Sequence, residues 1–339
     1  MKLTSIVSPC CAVSKRLLCL LLAALGCISC ETIYTDQSDC PRGLSLRFVY
    51  DYNMEYANAF PAKVDCVTLY VFDEAGNYVD QYVETSDVLA DENYRMQVAL
   101  DQGSYTLVAY GGMACGKQSF TMPTFSRATA SRFEELYTEL NHTNFVSKKS
   151  LHPLFYGRLN VTLGVDDFIE ETLYLMKDTN NVRIALQQIN GETIAASQFE
   201  FKITDDNSYL NYMNEVVPKG TITYTPWAQG EQIVGSWEDN ETPVSVAYAE
   251  FSTSRLVAGN NPRLTITNKK DGKQVFSIPL ITYLMLLRSD LYADMGKQEY
   301  LDRESEWSMV FFLDDGFRWI QTHIIINDWT VRLNNADLN

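Results

Sequence analysis

The side chains able to do chemistry are few and scattered. The 339-residue chain holds three histidines, His142, His152 and His323. None stands in an HExxH pattern, so two-histidine metal chemistry on one helix face has no carrier. No Gly-x-Ser-x-Gly exposes a nucleophilic serine, and no GxGxxG or P-loop stretch cradles a phosphate. Acidic pairs at Asp166-Asp167, Asp205-Asp206 and Asp314-Asp315 contain the carboxylates that glycoside hydrolysis needs, but they fall in turn-like stretches where acids are ordinarily solvated. Asp205-Asp206-Asn207 offers oxygens to calcium without the EF-hand spacing. Beyond residue 30 there is no CxxC and no cluster of Cys with His, so neither zinc nor any other cofactor is expected. The reading that follows is non-enzymatic.

The eight cysteines say more. Lys2, Lys15 and Arg16 make a basic start, 17–25 is a short apolar run, and Gly26-Cys27 and Ser29-Cys30 place a small residue before a cysteine. Basic, apolar, small is the order of a secretory signal peptide. The run is about half of the roughly 20 residues a membrane-spanning helix needs. Its ending resembles a lipobox, in which the signal is cleaved and the new N-terminal Cys is acylated. The polar stretch after Cys30 favours Cys30, with Cys27 the second choice. Residues 1–29 are then a lipoprotein signal peptide and 30–43 a lipidated tether.

Cleavage there removes three basic residues and no acids, taking the net charge from −16 to −19. Nucleic acid is not an expected partner. Cys40, Cys66 and Cys115 remain in the exported body. Cys66 opens one expected strand and Cys115 follows the end of another; if those strands pair antiparallel, their ends meet. That makes Cys66–Cys115 a candidate disulfide with Cys40 left over. The alternative leaves all three reduced, Cys66 being a small core residue.

Alternating and apolar stretches at 44–50, 64–73, 78–83, 94–100 and 104–110, separated by Gly/Asn/Asp turns, read as strands. Twelve per cent aromatic content suits large packed sheets. Phe133, Leu136, Tyr137 and Leu140 have a helical spacing, with Ser131 and Glu134 as a capping box, so a helix is expected over 131–143. Strands resume at 154, Asp271-Gly272 marks a hairpin, 280–292 reads as one helix, and 299–306 as acidic and polar. WSMVFFL, Asp314-Asp315-Gly316 and FRWIQTHIII form the clearest hairpin. The expectation is an all-β chain of two tandem β-sandwich domains with minor helices, 44–151 and 152–339. Trp307, Trp319 and Trp329 crowd the last strands; core packing is their ordinary role, a sugar-stacking platform the sharper one.

Four stretches together resemble the FimB/Mfa2 family of fimbrial anchor lipoproteins of Bacteroidales: the lipobox followed by ETIYTDQSDCPRGLSLRFVYDYN, then VDCVTLYVFDEAGNYV, DQGSYTLVAYGG and INDWTVR. The resemblance implies that both sandwiches are transthyretin-like. It also implies a lipid-anchored, surface-exposed subunit at the outer membrane. That subunit would hold the major fimbrillin shaft, with other fimbrial subunits, and limit its length. Strand addition is the expected mode of contact, because main-chain hydrogen bonds along an open edge give affinity. Ile324, Ile326, Trp329, Val331 and Leu333, on the C-terminal strands, are the candidate partner-binding residues. The alternative is a surface glycan-binding lipoprotein.

Overall fold

The computed structural model describes residues 42–165, 167–236, 243–326 and 329–334. The expected signal peptide and nearly all of the tether, with Cys27, Cys30 and Cys40, lie outside the described residues. The chain separates into two compact units, Met1–Arg42 and Gly43–Asn339. All that follows concerns the second.

Five strands open it: β1 (Gly43–Val49), β2 (Val67–Asp73), β3 (Tyr78–Glu84), β4 (Met96–Val98) and β5 (Gly103–Gly111). Three short ones follow: β6 (Phe120–Thr121), β7 (Tyr137–Leu140) and β8 (Val146–Ser147). Then come β9 (Phe155–Leu163), β10 (Phe168–Tyr174) and β11 (Met176–Lys177). The later part holds β12 (Thr179–Gln188), β13 (Phe199–Asp205), β14 (Tyr209–Asn211), β15 (Ile222–Tyr224), β16 (Ala228–Ser236) and β17 (Pro243–Ser254). It ends with β18 (Arg263–Asn268), β19 (Gln274–Pro279), β20 (Glu306–Leu313), β21 (Trp319–Ile326) and β22 (Trp329–Asn334). Helices are short: α1 (Phe60–Lys63), α2 (Leu280–Leu286) and α3 (Lys297–Arg303). The expected all-β architecture is the one observed.

Two pairs of sheets enclose two cores. In the first pair, β10-β1-β4 covers β11-β9-β5-β2-β3. Leu44, Leu46 and Phe48 of β1 meet Leu69 and Val71 of β2 and Leu107 and Ala109 of β5. In the second pair, β16-β17-β12-β20-β21-β22 covers β19-β18-β13-β15-β8. Val182, Ile184, Leu186, Met309 and Phe311 there meet Phe201, Ile203, Leu264 and Ile266. A small third sheet, β14-β7-β6, draws its strands from both parts of the chain.

The alternate residues of β2 and β5 explain why 69–72 (LYVF) is an unbroken apolar run. Leu69 and Val71 face the first core, while Tyr70, Phe72, Val108 and Tyr110 join the second cluster. A strand buried on both faces reads as a continuous apolar run, with no polar alternation.

Three expectations need correction. The boundary at 151/152 falls ahead of strands that complete the first pair of sheets: β9 pairs antiparallel with β5, and β10 pairs parallel with β1. Open ladders on β5 and β1 are satisfied only by chain beyond residue 152. The helix over 131–143 is instead one 3₁₀ turn, Phe133–Glu135, followed by β7, paired between β6 and β14. Its cap comes one residue late: Arg132 N–H donates to Glu135 Oε2 at 3.2 Å. The helix over 280–292 stops at Leu286, and a separate 3₁₀ turn spans Asp290–Tyr292. Conversely, α3 overlaps the stretch 299–306 read as acidic and polar, burying Tyr300 and Leu301.

Candidate functional site

The C-terminal strands form one side of the six-stranded sheet. β12 and β20 run parallel from Asn181↔Glu306 to Gln188↔Leu313, and β20 pairs antiparallel with β21. Asp314 builds the turn between β20 and β21. Its Oδ1 accepts the main-chain N–H of Gly316 and Arg318 at 2.9 and 2.8 Å, and its Oδ2 accepts from Arg318 Nε at 2.7 Å. Main-chain donation from Arg318 leads in holding this carboxyl below its ordinary range. Asp314 is thus a turn-former and has no free oxygen poised for catalysis.

β22 is the last strand of that sheet, so its outer main-chain edge has no neighbouring strand among the described residues. The structure brings the five candidate contact residues together. Ile324 stands opposite Val331, Ile326 opposite Trp329, and Thr322 opposite Leu333. Opposed residues share a face. Ile324 also opposes Met309 and Thr322 opposes Phe311 in the register of β20 with β21. What β22 leaves open is its backbone edge.

In the first sandwich, strand pairing gathers a second cluster. β2 and β5 pair with Val67 opposite Gly111, and β5 and β9 with Gly111 opposite Phe155. Residues just outside those ends converge. Cys66 and Cys115 are disulfide-bonded with their Cα atoms 5.5 Å apart. His152 Nε2 lies 3.0 Å from Asp65 Oδ1, and Cys115 Sγ lies 2.9 Å from the same oxygen. Gly112 fixes the approach: at φ +85° it donates its N–H to Cys66 O, and a Cβ there would lie 1.9 Å from Pro153 O.

Between the two sandwiches lies a buried polar network. Asp178, fully buried, occupies the step from β11 to β12. Arg255 donates from Nε and Nη2 to Asp302 at 2.9 and 2.8 Å and reaches Asp178 Oδ1 at 3.9 Å; Asn214 Nδ2 donates to that oxygen at 2.9 Å. Burial pushes the Asp178 carboxyl up to about 7, against the pull of Arg255. Asp205, expected in a solvated turn, ends β13 and is buried, and burial pushes it up to about 7 as well. Asn260 Nδ2 donates to both Asp205 and Asp206, and Asn207 Oδ1 accepts from Tyr224. Asp205 Oδ1, Asp206 Oδ1 and Asn207 Oδ1 are thus taken by protein donors, while Asp205 Oδ2 is buried without a hydrogen-bond partner. Raised carboxyls can mark catalysis, but no substrate reaches a fully buried Asp178.

The tryptophans divide likewise. Trp307 is buried, donating Nε1 to Asn180 Oδ1 at 3.0 Å, and Trp319 packs on Phe276 at 5.1 Å between ring centres. The side chain of Trp329 is outside the described set. No stacking platform forms from Trp307 and Trp319. Among the described residues the exposed tryptophan is Trp227, which the sequence pattern does not single out: it is 42% exposed, beside Asn181, Arg183, Glu250, Glu306 and Ser308 on an open groove of about 350 Å³. Among the described residues no helix is long and apolar enough to cross a membrane.

The family model of the fimbrillin-A associated anchor proteins Mfa1 and Mfa2 matches residues 37–335. The chain therefore belongs to that family of fimbrial anchor proteins. Among its relatives is the minor fimbrium anchoring subunit Mfa2 of Porphyromonas gingivalis, 24% identical over 265 residues, 76% of each chain. A solved candidate adhesin from Bacteroides thetaiotaomicron is 52% identical, with a TM-score of 0.81, over 88% of this chain and all of that one. A second solved structure from that organism, of candidate polysaccharide-binding proteins, is 32% identical with a TM-score of 0.74, covering 86% of this chain and 98% of the other.

Proposed function

We propose that this protein is the base subunit of a fimbrium, held in the outer membrane by acyl chains on Cys30, with Cys27 the second choice. It binds the first shaft fimbrillin by strand addition along β22 and so limits shaft length. Several acyl chains on one residue bury many CH₂ groups at roughly 0.8 kcal/mol each, enough for durable attachment where a single chain is not. The observation that carries the reading is the open main-chain edge of β22 at the end of a six-stranded sheet. An incoming extended segment completes that ladder. Thr330→Pro removes a main-chain donor from β22 while leaving the sheet interior untouched. Electron microscopy and fractionation of cells carrying it should find fimbriae shed into the medium, at least tenfold above wild type. Normally anchored fimbriae of normal length would overturn the contact. Mass spectrometry of the N-terminal peptide tests the anchor: loss of the acylated mass in Cys30→Ala assigns Cys30.

The Trp227 groove favours a second reading, surface glycan binding. An exposed indole with polar neighbours suits the apolar face and hydroxyl rim of a sugar ring. The candidate polysaccharide-binding relative points the same way. Yet Arg183 already pairs with Glu250 at 3.1 Å, and Asn181 with Glu306 at 2.9 Å. Glycan-array binding lost in Trp227→Ala would support this reading; an empty array would remove it.

A further inference from the structure

The corner where β2, β5 and β9 end carries three metal-ligating side chains from three segments. Asp65 Oδ1, Cys115 Sγ and His152 Nε2 all lie within 4.8 Å of one another. The oxygen is 2.9 Å from the sulfur and 3.0 Å from the nitrogen. In a tetrahedral zinc site, bond lengths of about 2.0–2.3 Å put neighbouring ligand atoms roughly 3.3–3.6 Å apart, so the two distances to the oxygen need to open by a few tenths of an ångström, and the sulfur and nitrogen, within 4.8 Å, to close by no more than about 1.5 Å. In the disulfide form Cys115 has no proton to share with Asp65, and its sulfur faces a carboxylate oxygen with nothing between them. Reduction changes that chemistry. A thiolate, an imidazole and a carboxylate make a donor set that favours Zn²⁺ over the hard cations Mg²⁺ and Ca²⁺.

We propose that this corner is a redox-gated zinc site: closed while Cys66 and Cys115 are bonded, and able to bind Zn²⁺ through Cys115, His152 and Asp65 once they are reduced. The electrons come from an exported dithiol reductant. Its two thiols become a disulfide, the Cys66–Cys115 bond breaks, and each protein sulfur takes one proton. Zn²⁺ then displaces the Cys115 proton, and water fills the fourth corner of the tetrahedron. The backbone is already built for this. Gly112, with its N–H on Cys66 O and its close approach to Pro153, holds the three segments together without help from the S–S bond.

The test uses the mature chain, with Cys40→Ser in every sample to remove the other thiol. Zn²⁺ is titrated calorimetrically with and without a phosphine reductant, and Co²⁺ is added to read the thiolate-to-cobalt absorption. The proposal expects no site in the oxidised protein and one site per chain in the reduced protein. It also expects at least tenfold weaker binding in His152→Gln. Cys66→Ser leaves Cys115 free without any reductant, and should bind Zn²⁺ in air-equilibrated buffer with native circular dichroism. Reduced protein and Cys66→Ser that both bind no better than the oxidised chain would overturn it. So would binding that His152→Gln leaves unchanged, because the metal would then sit elsewhere.

Discussion

Two places where strands end in this molecule are built on opposite rules. Where β2, β5 and β9 end, everything is tied: a disulfide, a glycine that only a hydrogen side chain fits, and a histidine on a carboxylate. The six-stranded sheet finishes on β22, a six-residue strand with one side of its ladder unfilled among the described residues. An open edge is a liability in a soluble monomer and an asset in a subunit that must add a strand. The difference teaches where the chain spends rigidity. The first sandwich also ends on terminal strands, β3, β4, β10 and β11, and it is the β22 edge that the proposed function assigns to assembly.

If that contrast is right, the largest stability effect lies at the junction between the sandwiches. Arg255→Ala would leave Asp178 and Asp302 buried without their cation. Breaking a buried pair by removing one partner costs about 3–5 kcal/mol, so denaturant unfolding should show a loss of that order or no folded protein. A loss under about 1 kcal/mol would mean that the junction is hydrated and that the two ends are independent bodies.

Next is the tied end. The Cys66–Cys115 link closes a loop with a sequence separation of 49. Replacing both cysteines with serine should cost about 2–4 kcal/mol in urea unfolding. Fimbrial anchoring should survive, since β22 lies in the other sandwich. Loss of anchoring in a folded double variant would break the comparison, because the tied end would then take part in assembly.

A smaller effect follows from Asp178. An unfolded Asp titrates near 3.8, and the buried one near 7. The folded state therefore holds the extra proton in between, so the group's contribution is full below about pH 4 and is lost as pH rises through about 7. Asp205 acts in the same direction. The thermal midpoint should fall between pH 5 and pH 8, and Asp178→Asn should flatten part of that slope. A slope that the substitution leaves unchanged would assign it to other groups.

How much of this the sequence disclosed depends on how local the cause was. The strands of the first half were legible because apolar or alternating runs and Gly/Asn turns sit within ten residues of one another, as in VTLYVFD-EAGN-YVDQYVE. The last hairpin was legible for the same reason. Segment 131–143 misled because Leu136 and Leu140 are spaced like one face of a helix. The partners that make 137–140 a strand, β6 and β14, are supplied by tertiary structure, one of them some 70 positions downstream. The Asp65–Cys115–His152 corner was invisible. Its members are separated by 50 and 87 positions, and only the β2–β5–β9 ladder brings them together. Trp227 had no local mark that set it apart from the buried Trp307.

The smallest expected effect probes whether the two ends communicate at all. Arg303, on α3 of the later part, lies over two rings of the loop that follows β1: Tyr52 at 4.1 Å and Tyr56 at 4.6 Å from the ring centres. It also donates to Asn53 O at 3.4 Å and pairs with Glu299 at 2.8 Å. A guanidinium can stack on both faces at once; an ammonium cannot. Arg303→Lys keeps the charge and loses the plane, so it should cost about 1 kcal/mol. Hydrogen exchange reads the consequence more sharply than total stability does. If α3 couples the sandwiches, amides of both the 51–57 loop and α3 should exchange faster in the variant. If only α3 responds, the loop is held by its own Asn53 bonds to Tyr50 O and Ala57 O. The tied end and the open edge would then share a chain and no common motion.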